Sequence, residues 1–119
     1  MTDHELGLFG ENLAVNHILN KGYIILARNY KFNRKEIDIV ALDKEQLVVI
    51  EVKTRQTAEI GEPWMAVTRA KQRSIIQVAN HYVKSKQMDI DTRLDVISIV
   101  HNSYRTKIEH IEDAFSPSL

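Results

Sequence analysis

The sequence predicts an α/β domain whose elements run helix, three strands, helix, two strands. Three observations carry that order. Two stretches with apolar residues at helical spacing, one at the N-terminus and one past the middle, alternate with runs rich in Ile, Val and Leu. Short polar, turn-prone segments join those runs. The 119 residues, 44% of them hydrophobic, suffice for one core and are too few for two, so a single domain over 1–119 is expected.

Thr2 followed by Glu5 makes a capping box and Gly22 suits the position past a helix end, which places the first helix from Asp3 to Lys21. Leu6, Gly10, Leu13, Ala14, His17 and Ile18 share one side of it. Glu11 falls on the flank of that stripe, where a Glu ordinarily faces solvent. Tyr23 to Arg28 is a β-rich run, and Asn29 to Lys35 is its polar continuation. There Arg28, Lys31, Arg34 and Lys35 interleave with Tyr30 and Phe32. Such a mixture serves phosphate and base contacts, or solvates a strand while aliphatic stems cover apolar surface.

The stretch from Glu36 to Lys53 organises the chain. EIDIVAL, a polar DKEQ and LVVIEVK read as an antiparallel hairpin. With Asp43 to Gln46 as the loop, Leu42 faces Leu47, Asp38 faces Glu51 and Glu36 faces Lys53. Ile37, Ile39, Ala41, Val48, Ile50 and Val52 then form one apolar face. Val40, Leu42, Leu47 and Val49 make the far end of the other face apolar, leaving the charges at a rim. Directly opposed residues have Cβ atoms about 4.5–5.5 Å apart, and like charges there are destabilising. Asp38 and Glu51 therefore need something positive between them. A divalent cation on carboxylate oxygens meets that need, and so does the ammonium of Lys53, one pleat from Glu51. The structural alternative is a solvated sheet end with a cross-strand ion pair.

Thr54 to Pro63 is a polar loop, with Gly61 and Pro63 in it and Trp64 beside it as a packing residue. A second helix is expected from Thr68 to Lys84, with Ile75, Val78, Ala79 and Tyr82 as its buried stripe. Lys71 and Gln72 fall in the same inward sector one turn earlier, where they either snorkel or reach the sheet rim. Arg55, Arg69 and Arg73 extend the basic surface. Lys84 to Thr92 is a polar connection. Arg93 to His101 reads as a buried strand carrying a structural Asp95, and Lys107 to Ile111 as a last strand after a turn at Asn102 and Ser103. The tail from about 113 to 119 is expected to fray.

Composition narrows the chemistry. Without Cys there are neither disulfides nor thiolate metal sites, as a reducing cytoplasm favours. MTDHELGLFGENLA has no basic region followed by an apolar stretch, and no run has the length to span a bilayer, so a soluble, unexported, cytoplasmic protein with no membrane partner is expected. Sixteen Lys and Arg balance sixteen Asp and Glu, so DNA contact must come from local patches. The five histidines never occur at paired ligand spacing, and neither a G-x-S-x-G elbow nor a phosphate-cradling glycine loop is present.

GENLA, GYIILARNY, EIDIVA, VVIEVKTR and RLDVISIV, in this order and spacing, resemble the YraN-like family of small bacterial nuclease-like proteins over nearly the whole chain. An acid in one strand, a turn, and Glu-x-Lys in the next resembles the metal-binding signature of the PD-(D/E)XK superfamily. Lys35 stands where the family usually has Gly. The resemblance implies a restriction endonuclease-like fold, a mixed central β-sheet flanked by helices in the order α-β-β-β-α-β-β. It also implies a metal-dependent nuclease hydrolysing DNA phosphodiester bonds, with branched or single-strand-containing DNA among its substrates. In that reading Asp38, Glu51 and the Val52 backbone carbonyl hold Mg²⁺ or Mn²⁺. Lys53 orients or deprotonates the attacking water or neutralises charge at phosphorus, and Glu36 holds a water at the ion. Related Holliday-junction resolvases place a helical Glu where Glu11 stands, and superfamily members often carry a Lys or Gln on the helix after Glu-x-Lys, where Lys71 and Gln72 stand. Resolvases work as dimers, so a homodimer is the implied assembly, although neutral charge and scattered surface apolar residues do not specify one. Some superfamily members keep the fold and lose the chemistry, which leaves open a module that binds DNA or a protein without cutting.

Overall fold

The computed structural model describes residues 1–57 and 67–116, so the expectations for Gly61, Pro63 and Trp64 and for the end of the tail lie outside the described residues. Helix α1 (Asp3–Asn20) starts at the capping box. Thr2 Oγ1 accepts the Glu5 amide at 3.1 Å and Glu5 Oε1 accepts the Thr2 amide at 2.9 Å. Gly22, at φ 90°, turns the chain out of the helix. Strands β1 (Ile24–Phe32), β2 (Lys35–Asp43) and β3 (Gln46–Arg55) come next as an antiparallel meander. The return through α2 (Arg69–Ser85) sets β4 (Thr92–His101) parallel to β3, and β5 (Thr106–Ile111) closes antiparallel on β4. The five-stranded sheet thus runs in the order β1-β2-β3-β4-β5, mixed as expected, with a helical crossover of the kind a parallel pair requires.

Turn chemistry sets the hairpins. Asn33 and Arg34 both take left-handed backbone, φ 50° and 64°, as a two-residue primed turn demands. Lys35 then enters the ladder opposite Phe32 with no left-handed φ, so the absent glycine is accommodated without strain. The β2–β3 turn is tighter than the four-residue loop expected. Asp43 pairs with Gln46, Lys44 takes φ 56°, and the Leu42–Leu47 register holds.

Each helix covers one face. Ala14 and Ile18 of α1 pack on Ile39, Ala41, Val48, Ile50, Ile97 and Ile99. Ile75, Val78, Ala79 and Tyr82 of α2 pack on Val40, Leu47, Val49, Leu94 and Val96. Covered on both sides, β3 and β4 read as nearly unbroken apolar runs. At roughly 1.5–3 kcal/mol per buried aliphatic side chain, these two layers are the main source of stability. Gly10 lets α1 sit close on β3: a Cβ there would lie 2.8 Å from Thr54 Cβ and Cγ2 and nearer still to its hydroxyl.

The sheet end opposite Lys53 is closed by ions. Asp95, fully buried, accepts from Arg93 at 2.9 Å through both oxygens, from His110 Nε2 at 2.7 Å and from the Asp113 amide at 2.9 Å. Burial pushes its pKa up, but the His110 and Arg93 hydrogen bonds outweigh this and hold it below the ordinary value. Arg93 also reaches Asp43, Glu112 and Tyr23, tying the β2–β3 turn to β4. Asp95 is therefore structural, as expected. The tail differs from expectation at its start. Besides the Asp113–Asp95 bond, the Ala114 amide donates to Leu94 O at 2.8 Å and Phe115 packs on the α2-side core, so 113–115 are anchored.

Candidate functional site

The regular β2–β3 ladder ends at Ile39–Ile50, one pair short of Asp38 and Glu51. The next amide aimed at β2, that of Val52, donates to Asp38 Oδ2 at 2.8 Å. A residue's N–H and C=O share one side of an extended strand, so the Val52 carbonyl faces the same gap. Asp38 and Glu51 thus meet where the strands part, rather than as an opposed pair on an unbroken ladder.

The expected apolar face breaks at the same place. Ile39 packs on the α1 side, but Ile37 joins Tyr30, Phe32 and Val40 on the α2 side. Strict alternation would keep Ile37 with Ile39. The cause lies in β1, where Asn29, between the pairs Arg28–Ile39 and Tyr30–Ile37, takes φ 51°. A left-handed residue inside a strand interrupts its pleat and re-aims the side chains beyond it. Ile37 turns inward toward α2, and Glu36 and Asp38 turn into a cleft of about 650 Å³ on the α1 side. Glu11, Asn29, Lys31, Val52, Lys53 and Thr54 line it too, with Asp3, His4, Gly7 and Leu8 from the first turns of α1.

Glu51 is 5% exposed. Burial and then the Asp38 charge push its pKa up to about 8, against opposing pulls from Lys71 and Lys53. Its Oε1 lies 3.8 Å from Lys71 Nζ, and its Oε2 is buried with no hydrogen-bond partner. Asp38 is also raised, first by burial; the Val52 amide opposes this, and Glu11 and Glu36 add to it. The pair is short of positive charge, and Lys71 on α2 reaches the sheet rim.

Glu11 departs from its surface expectation. It is buried, with Oε1 3.2 Å from Arg28 Nη2 and Oε2 accepting from Asn29 Nδ2 at 3.2 Å. Gly10 brings this turn of α1 down onto Thr54, and Glu11 comes with it. Arg28, which also donates to Asn12, thus serves Glu11. Gln72 Nε2 donates to Val67 O at 3.1 Å and so holds the start of α2. Lys35 is bonded to the Gln77 side chain. Lys31 lines the cleft; Arg34, Arg69 and Arg73 are exposed and Arg55 is half-buried. Asn29 escaped the sequence reading. Its signal was an Asn, a residue that tolerates left-handed backbone, inside a β-rich run. Among the described residues no three His, Asp or Glu side chains converge as a ready metal cage. The oxygen donors at the gap are two carboxylates and one carbonyl.

Fold and site together define a class: a mixed-sheet α/β domain with a buried carboxylate pair and a lysine at the point where two central strands part. The chain belongs to the uncharacterised protein family UPF0102, the family with the YraN-like segments, whose family profile matches residues 10–99. It is 43% identical over 116 residues to a UPF0102 protein of Christiangramia forsetii, covering 97% of this chain and 98% of that one. It is 45% identical over 119 residues to one from Chlorobium phaeobacteroides, covering 94% of each. With one from Phocaeicola vulgatus it shares 42% over 120 residues, 100% and 99% of the two chains.

Proposed function

We propose that the cleft is the active site of a metal-dependent nuclease of the PD-(D/E)XK superfamily that hydrolyses DNA phosphodiester bonds. The observation that carries the reading is the buried Asp38–Glu51 pair, with Glu51 Oε2 left without a partner, beside a cleft lined by Lys53. Hard carboxylate and carbonyl oxygens suit Mg²⁺ or Mn²⁺. Asp38, Glu51 and the Val52 carbonyl are the donors that would hold the ion. When bound, it supplies Lewis-acid charge at the scissile phosphate and lowers the pKa of a water. Lys53 orients that water or takes its proton, and its ammonium offsets charge gathering on the phosphate oxygens. Glu36 accepts a hydrogen bond from water in the cleft. Arg28 and Asn29 fix Glu11 at its wall, where it adds to the negative field on Asp38. Lys31 meets a phosphate of the strand.

The test is cleavage of linear, nicked, flapped and four-way DNA with Mg²⁺ or Mn²⁺. Cleavage is expected to vanish with EDTA, with Asp38→Asn and with Lys53→Ala. Cleavage indifferent to those changes rules the site out. One observation favours a second reading, a module that binds DNA without cutting: Lys71 already offers Glu51 a cation from within the chain. Such a module shows salt-dependent DNA affinity that ignores the metal.

A further inference from the structure

The β4–β5 hairpin tip lies at the same end of the sheet as Lys53, because β3 and β4 run parallel with Lys53 beside Ser98 and Arg55 beside Val100. Tyr104 stands at that tip 93% exposed, the most exposed of the large apolar side chains among the described residues. The tip is held firmly. Asn102 Oδ1 accepts the amides of Tyr104 at 2.8 Å and Arg105 at 3.2 Å, and Asn102 Nδ2 donates to Gln56 O at 2.7 Å. One side chain thus fastens the tyrosine's turn to the end of the strand that carries Glu51 and Lys53. Gln56 is three residues past Lys53, or roughly 10 Å at the rise of a strand. Behind the tip a hollow of about 230 Å³ runs to Met1 and Leu6, so the start of α1 borders both it and the main cleft.

The charge around Tyr104 is one-sided. From Asn102 to Ile108 the chain carries Arg105 and Lys107 and no carboxylate. An aromatic ring with nothing packed over it, held rigid and flanked by cations, is complementary to a base stacked above a phosphate backbone. Paired bases in a duplex hide their faces; unpaired ones do not. We infer that Tyr104, with Arg105 and Lys107, is a stacking platform for an unpaired stretch of DNA leaving the cleft, which makes single-strand-containing DNA the preferred partner of this site. The spacing from Lys53 matches about three nucleotides of a stacked strand at 3.4 Å each. The inference rests on the nuclease reading for its choice of DNA, and it assigns Tyr104 no part in bond cleavage.

The test measures anisotropy of fluorescein-labelled oligonucleotides with the full chain in EDTA at low salt, using single strands, blunt duplex and duplex with a flap. Tyr104→Ala is expected to weaken single-strand and flap binding by roughly 5- to 100-fold, the span of one stacked base, and to leave blunt-duplex binding within about twofold. Tyr104→Phe, which keeps the ring, is expected to bind as the parent does. Arg105→Ala is expected to lower the salt slope by about one on every substrate. Equal affinities for Tyr104→Ala and the parent, or equal losses on duplex and single strand, overturn the inference. If the parent cleaves through Asp38 and Lys53 while Tyr104 proves indifferent, this inference alone fails. If the parent never cleaves but binds single strands through Tyr104, the nuclease reading alone fails.

Discussion

Replacing Glu51 by Gln keeps the shape of the buried side chain and removes its charge, which makes the price of that charge measurable as a pH dependence. In the folded chain the Glu51 carboxyl titrates at about 8, against an ordinary 4.5. Between those two pH values the folded state holds a proton that the unfolded state has released. Folding stability therefore falls as pH rises through this window and levels off above pH 8. At 1.36 kcal/mol per pH unit the full cost is on the order of 5 kcal/mol, a large share of the roughly 5–15 kcal/mol that holds a small domain together. Asp38, raised in the same direction, adds to the slope. The assay is urea unfolding in EDTA at pH 5, 7 and 9. Glu51→Gln is expected to match the parent at pH 5 and to exceed it by several kcal/mol at pH 9. Parallel pH profiles for the two proteins would refute the burial and crowding argued for the pair.

Other substitutions separate structure from chemistry. Gly10→Ala drives a Cβ into Thr54 and is expected to cost about 1–3 kcal/mol in urea unfolding, part of it recovered when Thr54→Ala removes the hydroxyl and methyl. Thr2→Ala removes the α1 capping box and should cost about 1 kcal/mol by the same measurement. Asp95→Asn leaves Arg93 buried beside a neutral partner and should cost about 3–5 kcal/mol, while metal binding per folded molecule stays at the parent value. Lys31→Ala should lower the salt slope of DNA binding by about one.

Much of the architecture is written in local patterns, and its exceptions have physical causes. The capping box, Gly22 and the Leu42–Leu47 register arise from residue types acting on their neighbours. Asp38 and Glu51 were legible because a two-residue period and one hairpin bring them together. The face change at Ile37 was not, because it comes from Asn29 across the sheet, and nothing in β2 itself encodes it. Glu11 misled for a similar reason. Its position on the helical wheel says surface, but the missing Cβ of Gly10 lowers the helix onto β3, and Arg28 and Asn29 supply partners from a distant strand. Arg28 read as a phosphate contact from its cationic neighbours alone, and only tertiary structure turns it toward Glu11.

Calorimetry of Mn²⁺ binding near pH 7, repeated in buffers of different ionisation enthalpy, is the measurement that bears most directly on the carboxylate pair. One ion is expected per chain, lost on Asp38→Asn and on Glu51→Gln. In the parent its arrival should expel close to one proton, because at that pH Glu51 is still protonated and a ligating carboxylate cannot be. No binding, or binding that releases no proton and survives both substitutions, contradicts a cation shared between Asp38 and Glu51.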